Sequence, residues 1–232
     1  MTALLASVRS SEEALDAAQA GAELIDLKEP GAGALGSVSL HEITRIVATL
    51  RSTYPVKPIS ATIGDVATDA IDEISARVIE VGNTGVDYVK VGVTPGDSAR
   101  RCLIELASLP AAVVPVFLCD AGIDVDLTRF AAELGFPGIV FDTAVKDGRT
   151  LFDCVDKNRL ADCLRAAGAH GAMTGLAGSL GLKQLADIRE LAPDIAGFRT
   201  ALCEGGRGGR LDPAKVSQWA EALHRSAVAD AH

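Results

Sequence analysis

Eight short apolar runs recur along the chain at a steady spacing, and this spacing is the feature that most limits the possible folds. The stretches between them are rich in Ala, Glu and Arg and suit helices. The 232 residues shared among eight units average 29 residues each, close to the length of one βα unit. The sequence therefore predicts an α/β protein, a single (β/α)₈ TIM barrel. The predicted strands are residues 3–8, 24–28, 59–64, 88–92, 113–119, 138–143, 172–177 and 195–200.

The same pattern predicts a single domain over residues 1–232. Predicted helices at 11–20 and 69–82 alternate with the strands, and Ser10 or Ser11 with Glu13 suits a capped helix start. No Pro/Ser-rich linker divides the chain. An open doubly wound sheet is the alternative architecture, but the GxGxxG fingerprint of dinucleotide-binding sheets is absent after the first strand.

Composition and charge narrow the class of partner. Hydrophobic residues make up 48% of the chain and aromatic residues 4%, as in a parallel sheet covered by helices. The net charge of −9 and the absence of a polybasic run argue against nucleic acid. No run reaches the roughly 18 apolar residues of a membrane span. Five cysteines without a CxxC pair indicate free thiols. We therefore expect a soluble, cytoplasmic protein that binds neither nucleic acid nor membrane. Because the barrel is rich in Ala, we also expect the chain to form a homo-oligomer.

Lysines at the predicted strand ends are the strongest functional signal. Lys28 and Lys90 end or lie within apolar strands, where an unpaired ammonium is costly, and Lys146 follows strand 6. The three lysines thus belong to alternate strands, whose inward side chains share layers of a barrel. Asp26 shares a strand face with Lys28, and Asp142 ends strand 6.

This cluster suits Schiff-base chemistry on a phosphorylated aldehyde or ketone. A free lysine titrates near pH ~10.4, and both burial and a neighbouring ammonium favour the neutral, nucleophilic amine. An aspartate beside it can move protons. The alternative interpretation is structural, with the lysines extending along the barrel rim or pairing with acidic residues.

A phosphate site is predicted in the loops after strands 7 and 8, where barrels commonly bind phosphoryl groups. Both loops contain small residues that let the backbone approach an anion, and Arg199 adds a permanent cation. The alternative is that the glycines only form turns. The predicted substrate-binding residues are Gly178, Ser179, Arg199, Ala201 and Gly205.

Other chemistries fit the sequence less well. The four histidines lie in predicted helices, before a strand or at the tail, which argues against a histidine-based zinc site or catalytic triad. A Mg²⁺ site built from Asp65, Asp120 and Asp142 is an alternative. We expect no metal and no cofactor.

Several segments, in order along nearly the whole chain, resemble the (5-formylfuran-3-yl)methyl phosphate synthase family. They include Leu-Ile-Asp-Leu-Lys at 24–28, Ser-Ala-Thr-Ile-Gly-Asp at 60–65, Asp-Tyr-Val-Lys-Val-Gly at 87–92 and Leu-Ala-Gly-Ser at 176–179. The most specific is Asp-Thr-Ala-Val-Lys-Asp-Gly-Arg-Thr-Leu-Phe-Asp at 142–153.

The resemblance implies a barrel lyase that condenses two glyceraldehyde 3-phosphates, releasing phosphate and water, to make the furan precursor of methanofuran-type one-carbon carriers. It implies a Schiff base at Lys28, supporting lysines at Lys90 and Lys146, and catalytic aspartates at Asp26 and Asp142. The segment after Cys203 is richer in Gly and Arg than the family pattern. A class I aldolase acting on another sugar phosphate and a non-catalytic phosphometabolite-binding barrel remain alternatives.

Overall fold

The structure, a computed structural model, describes residues 1–145 and 147–224. Eight parallel strands form a closed barrel in which each strand pairs with its neighbours in sequence, and β8 closes the ring on β1 through the pair Ala3 and Ile195. This confirms the predicted TIM barrel and excludes the open doubly wound sheet. The strands are β1 (Ala3–Val8), β2 (Leu24–Leu27), β3 (Ile59–Thr62), β4 (Tyr88–Val93), β5 (Val113–Leu118), β6 (Gly138–Asp142), β7 (Met173–Leu176) and β8 (Ile195–Phe198).

Helices follow the strands and cover the barrel. Several begin with a side-chain cap, as at Ser10, whose hydroxyl accepts a hydrogen bond from Glu13 N at 3.2 Å. Short 3₁₀ turns at Pro30–Ala32, Leu182–Gln184 and Thr200–Leu202 supplement them. The helices are α1 (Ser11–Gln19), α2 (Leu40–Thr53), α3 (Ile71–Gly82), α4 (Ala99–Ser108), α5 (Val125–Glu133), α6 (Leu151–Cys154), α7 (Lys157–Gly168), α8 (Leu185–Leu191) and α9 (Pro213–His224).

Most predicted strand boundaries were slightly wrong, and the differences lie mainly at the carboxyl ends. Strand β2 ends at Leu27, so Lys28 is the first residue of the following loop. Strand β3 ends at Thr62 and β8 at Phe198, two residues short of the predicted ends. The sequence does not mark where ladder pairing stops, because residues just beyond a strand end, such as Lys28 and Ile63, are buried like those within the strand.

Alternation along each strand separates two cores. On β2, Ile25 and Leu27 belong to the large cluster between the barrel and its helices, whereas Leu24 packs inside with Leu5 and Ile195. A second interior cluster contains Leu35 with Val114, Val116 and Val140. Apolar side chains thus fill the amino-terminal end of the barrel, and on β1, β2 and β6 the next inward residues towards the carboxyl end are polar: Ser7, Asp26 and Asp142.

Within residues 1–145 and 147–224, no helix has the length and apolar character needed to span a membrane.

Candidate active site

A buried carboxylate, Asp26, lies at the centre of the polar layer inside the barrel. The sheet register places Ser7 of β1 and Ser60 of β3 beside it. Ser60 Oγ donates to Asp26 Oδ1 at 2.6 Å, and Ser7 Oγ donates to Oδ2 at 3.0 Å. Lys90 Nζ, from β4, donates to Oδ1 at 3.1 Å. Three strands therefore supply hydrogen-bond donors to one anion.

These donors keep Asp26 ionised. Complete burial by itself raises the pKa of a carboxyl, but here the charges of Lys90 and Lys28 and the Ser60 hydrogen bond outweigh it. The pKa of Asp26 is consequently held below its ordinary value. Asp26 is thus a fixed negative charge that orients Lys90.

Lys28 and Asp142 form a second pair, beside the first and nearer the mouth of the barrel. Lys28 Nζ lies 3.6 Å from Asp142 Oδ2, and the two side chains are 11% and 4% exposed. Asp142 Oδ1 accepts a hydrogen bond from Thr143 N at 2.7 Å, which fixes the carboxylate. The distance of 3.6 Å is longer than a strong hydrogen bond, so the contact is an ion pair.

The two pairs line one pocket at the carboxyl end of the strands. Besides Asp26, Lys28, Lys90 and Asp142, it contacts the predicted substrate-binding residues Gly178, Ser179 and Arg199. The predicted residues Ala201 and Gly205 do not line it, and their role stays a prediction. Further lining residues, which the sequence analysis did not single out as site residues, are Leu5, Ser7, Pro30, Ala177, Leu180, Gly197, Phe198, Thr200 and Arg207.

Lys146 lies outside the described residues, so its predicted supporting role stays a prediction. The loop before it is anchored: Asp120 accepts hydrogen bonds from Ala144 N at 2.6 Å and Val145 N at 2.8 Å. Asp65, which follows β3, anchors the loop after β2 in the same way, because it accepts a hydrogen bond from Leu35 N at 2.8 Å. Among the described residues, no cluster of three or more His, Cys, Asp or Glu side chains is arranged for a metal.

Gly178 and Ser179 give the loop after β7 an unusual backbone. Both have positive φ, +96° for Gly178 and +55° for Ser179. A Cβ on Gly178 would lie 3.1 Å from Leu151 Cβ and 3.3 Å from Thr143 N, so only a glycine fits there without movement. Gly178 O accepts from Leu151 N at 3.0 Å. The loops after β6 and β7 are thereby fastened to each other above the pocket.

Arg199 lines the pocket wall, but its guanidinium is held by Glu13 of α1. Nη1 and Nη2 donate to the two Glu13 oxygens at 2.6 and 3.1 Å, and the side chains are 8% and 6% exposed. Burial opposes the ionisation of Glu13, yet the Arg199 pairing outweighs it and lowers the pKa of Glu13. The prediction that Arg199 binds phosphate stays a prediction; the structure gives this guanidinium a structural partner.

Among the residues that the sequence did not single out as site residues, four make polar contacts that shape this region: Ser7, Ser60, Glu13 and Arg207. Ser7 and Ser60 could have been found, since period-two alternation places both on the inner face. Glu13 was recognised as part of a helix start, but its carboxylate accepts from Arg9 N at 3.1 Å and from Arg199 instead of closing a capping box. Arg207 gave no local signal, because a basic residue in a glycine-rich loop has no predictable direction.

Comparisons with known proteins identify the family of the chain. A sequence model of the 4-HFC-P synthase family matches residues 4–220. The (5-formylfuran-3-yl)methyl phosphate synthases of Methanothermobacter thermautotrophicus and Methanopyrus kandleri are 32% and 33% identical to the chain; each alignment covers 95% of the chain and 98% of the relative. A Methylorubrum extorquens protein that provisionally carries the same name is 38% identical, over 98% of the chain and 94% of that protein.

Similarity to solved structures supports the fold alone. Phosphoribosyl anthranilate isomerase from Thermus thermophilus superposes with a TM-score of 0.66 at 13% identity, over 96% of this chain and 98% of that chain. For 3-hexulose-6-phosphate synthase from Salmonella typhimurium the TM-score is 0.62 at 19% identity, over 96% and 100%. The family model and the curated relatives extend over nearly the whole chain, and the chain therefore belongs to the 4-HFC-P synthase family.

Proposed function

We propose that the chain is a (5-formylfuran-3-yl)methyl phosphate synthase, a lyase that condenses two glyceraldehyde 3-phosphates through a Schiff base on Lys28. The observation that carries this proposal is the position of Lys28, buried at the pocket with Asp142 Oδ2 3.6 Å from its amine. The curated relatives carry this activity in their names. The product would be the furan precursor of a methanofuran-type one-carbon carrier.

The first step needs the neutral amine of Lys28. Its nitrogen attacks the aldehyde carbon of one triose phosphate, and water leaves as the iminium forms. Asp142 receives the proton that the amine gives up and returns it to the departing oxygen, and its distance of 3.6 Å from the amine supports this role. Asp26 is less suited to this exchange, because both of its oxygens already accept hydrogen bonds and its pKa is lowered.

The second step forms the carbon–carbon bond. The iminium acidifies the neighbouring carbon, Asp142 removes its proton, and the resulting enamine attacks the aldehyde of the second triose phosphate. Lys90, held towards the pocket by Asp26, stabilises negative charge that develops on oxygen. Loss of one phosphate, ring closure and loss of water then build the furan, and hydrolysis of the iminium releases the aldehyde product and frees the amine of Lys28. Two triose phosphates yield one furan phosphate, one phosphate and two waters, so the atoms balance without an oxidant.

The remaining phosphate needs a site of its own. The loop around Gly178 and Ser179 lines the same pocket as Lys28, and Gly178, being glycine, has no side chain to block an anion. Backbone amides in such loops commonly bind phosphate.

The test is to incubate the purified protein with glyceraldehyde 3-phosphate alone. We expect one inorganic phosphate released for each furan formed, with the furan identified by its ultraviolet absorbance and mass. Reversible formation of a sugar phosphate without phosphate release would instead indicate an aldolase. Binding of triose phosphate with no turnover would indicate a non-catalytic barrel.

A further inference from the structure

The segment of residues 203–211, which follows the 3₁₀ turn after β8, forms a strap beside the pocket. Its two ends meet in an antiparallel bridge between Cys203 and Leu211, and Glu204 N donates to Arg210 O at 2.9 Å. Lys215 Nζ of α9 donates to Cys203 O at 2.7 Å. The base of the strap is therefore fixed to the barrel, although its sequence is rich in glycine.

Arg199 fixes the middle of the strap as well. While its guanidinium pairs with Glu13, Nε donates to Arg207 O at 3.1 Å and Nη2 donates to Gly209 O at 2.7 Å. The backbone of Arg207 is thus held at a defined place on the pocket wall. The buried ion pair of Arg199 and Glu13 acts here as a support for Arg207.

The side chain of Arg207 reaches across the mouth of the pocket. It lines the same cavity as Lys28 and Ser179, and its Nη2 donates to Gly33 O in the loop after β2. Gly33 itself is held in place: its φ is +115°, and any Cβ there would collide with the Asp65 carboxylate. Arg207 therefore joins the strap to the loop after β2, on the other side of β1, while lining the pocket.

Arg207 differs from the other cations that line the pocket in having no carboxylate partner among the residues that the structure describes. Lys28, Lys90 and Arg199 each lie within ion-pair distance of a carboxylate. For Arg207, no carboxylate of residues 1–145 or 147–224 lies within that distance, and the partner of its guanidinium is a neutral carbonyl. A guanidinium has five N–H donors, so one can stay on Gly33 O while others meet an anion in bidentate fashion.

We propose that Arg207 binds a substrate phosphate in this pocket and that Arg199 supports it without contacting the anion. This inference rests on the proposed function, which supplies a phosphorylated substrate, and assigns to that site a specificity residue of the strap. An unphosphorylated aldehyde would gain nothing from Arg207, so the residue selects for phosphorylated substrates.

The first test measures binding of inorganic phosphate to the full chain by calorimetric titration, with Arg207→Gln and Arg210→Gln compared. Arg210 is a matched control on the same strap, because it is exposed and pairs with Glu12 away from the pocket. Losing a charge-assisted bidentate contact should weaken phosphate binding by about tenfold or more in Arg207→Gln. Arg210→Gln should bind as the natural protein does. Equal affinity in all three proteins would overturn the proposal.

A second measurement uses the natural chain and needs no variant to fold. Phenylglyoxal modifies exposed arginines, and peptide masses report which ones react. We expect inorganic phosphate to slow modification of Arg207 at least severalfold while leaving Arg210 unchanged. Modification of Arg207 at the same rate with and without phosphate would contradict the proposal.

Kinetics separate a binding role from a merely structural one. In Arg207→Gln, KM for glyceraldehyde 3-phosphate should rise about tenfold or more with kcat little changed, whereas a distorted site would lower kcat first. Both phosphate measurements are independent of turnover. If the chain makes no furan but phosphate still protects Arg207 from modification, the proposed function is contradicted and this inference stands. If furan synthesis is normal but Arg207→Gln binds phosphate as tightly as the natural protein, this inference is contradicted and the proposed function stands.

Discussion

Two groups of buried charges lie within the same end of the barrel, and they differ in what they can do. The lysine cluster contains Asp26, Lys90, Lys28 and Asp142, and the arginine clamp contains Glu13 and Arg199. All of these side chains are nearly inaccessible, with 11% exposure or less. Burial of charge is common to both groups and therefore does not identify the reactive one.

The two groups differ in the capacity of their cations to react. Arg199 uses five hydrogen bonds to Glu13 and to the carbonyls of Ser7, Arg207 and Gly209. A guanidinium keeps its proton throughout the physiological range and is no nucleophile. The amine of Lys28 can lose a proton, faces the pocket and lies 3.6 Å from a carboxylate. A deprotonatable cation beside a cavity, not a buried cation alone, is what favours the lysine cluster as the proposed reactive site.

Replacing Lys28 should have the largest effect on activity. The variant Lys28→Ala removes the nucleophile, and furan formation should fall by about 10⁴-fold or more, as when other covalent catalysts lose theirs. Phosphate release and furan absorbance measure this loss, and circular dichroism checks the fold. Lys57→Ala is the matched control, because Lys57 donates to Ala22 O and precedes β3 at the opposite end of the barrel. Activity above a tenth of normal in Lys28→Ala would contradict the assignment.

Breaking the arginine clamp should instead reduce stability. Glu13→Gln leaves Arg199 buried without its counter-charge, which costs about 3–5 kcal/mol and should lower Tm by roughly 6–20 °C. Glu12→Gln is the control: its pair with Arg210 is exposed and contributes about 1 kcal/mol or less. Thermal unfolding followed by circular dichroism compares the two. Equal Tm values would show that the clamp is not a structural element.

Both groups should make the protein sensitive to acid. The pKa values of Asp26 and Glu13 are lower in the folded chain than their ordinary values of 3.8 and 4.5. The unfolded chain therefore takes up protons first as pH falls, so the stabilisation is complete above about pH 5 and is lost at lower pH. Urea unfolding between pH 3 and pH 7 measures this, with Glu105→Gln, an exposed acid of α4, as control. Asp26→Asn should show a shallower loss, and an unchanged slope would refute its role.

The cysteines should show the smallest effect, since four of the five are buried and burial, the largest influence on these thiols, raises the pKa of each. Burial raises the pKa of Cys102 to about 11 and also raises the pKa of Cys119. Cys154 is the more accessible of the five. Ellman's reagent at pH 8 should label at most about one thiol in the folded protein, and none in Cys154→Ser. Rapid labelling of three or more thiols would show that the core between the barrel and its helices opens easily.

Much of the fold was predictable, because strand spacing and the alternation of buried residues depend on neighbouring positions in the sequence. The eight strands, their order and the inward direction of Asp26 and Lys90 all follow from period-two alternation and βα length. Ser7 and Ser60 lay within reach of the same reasoning. The clamp between Glu13 and Arg199 could not be predicted, because 186 positions separate its two members and helix α1 must first dock beside β8. The direction of Arg207 likewise depends on where Arg199 anchors the strap.

The most direct test of the central claim is borohydride trapping on the intact protein in the presence of glyceraldehyde 3-phosphate. Reduction of an iminium fixes the substrate carbon to the lysine nitrogen, and peptide masses then locate it. We expect one covalent adduct per chain, carried by Lys28, present in Lys57→Ala and absent from Lys28→Ala. No adduct in the natural protein, or an adduct that persists in Lys28→Ala, would contradict it.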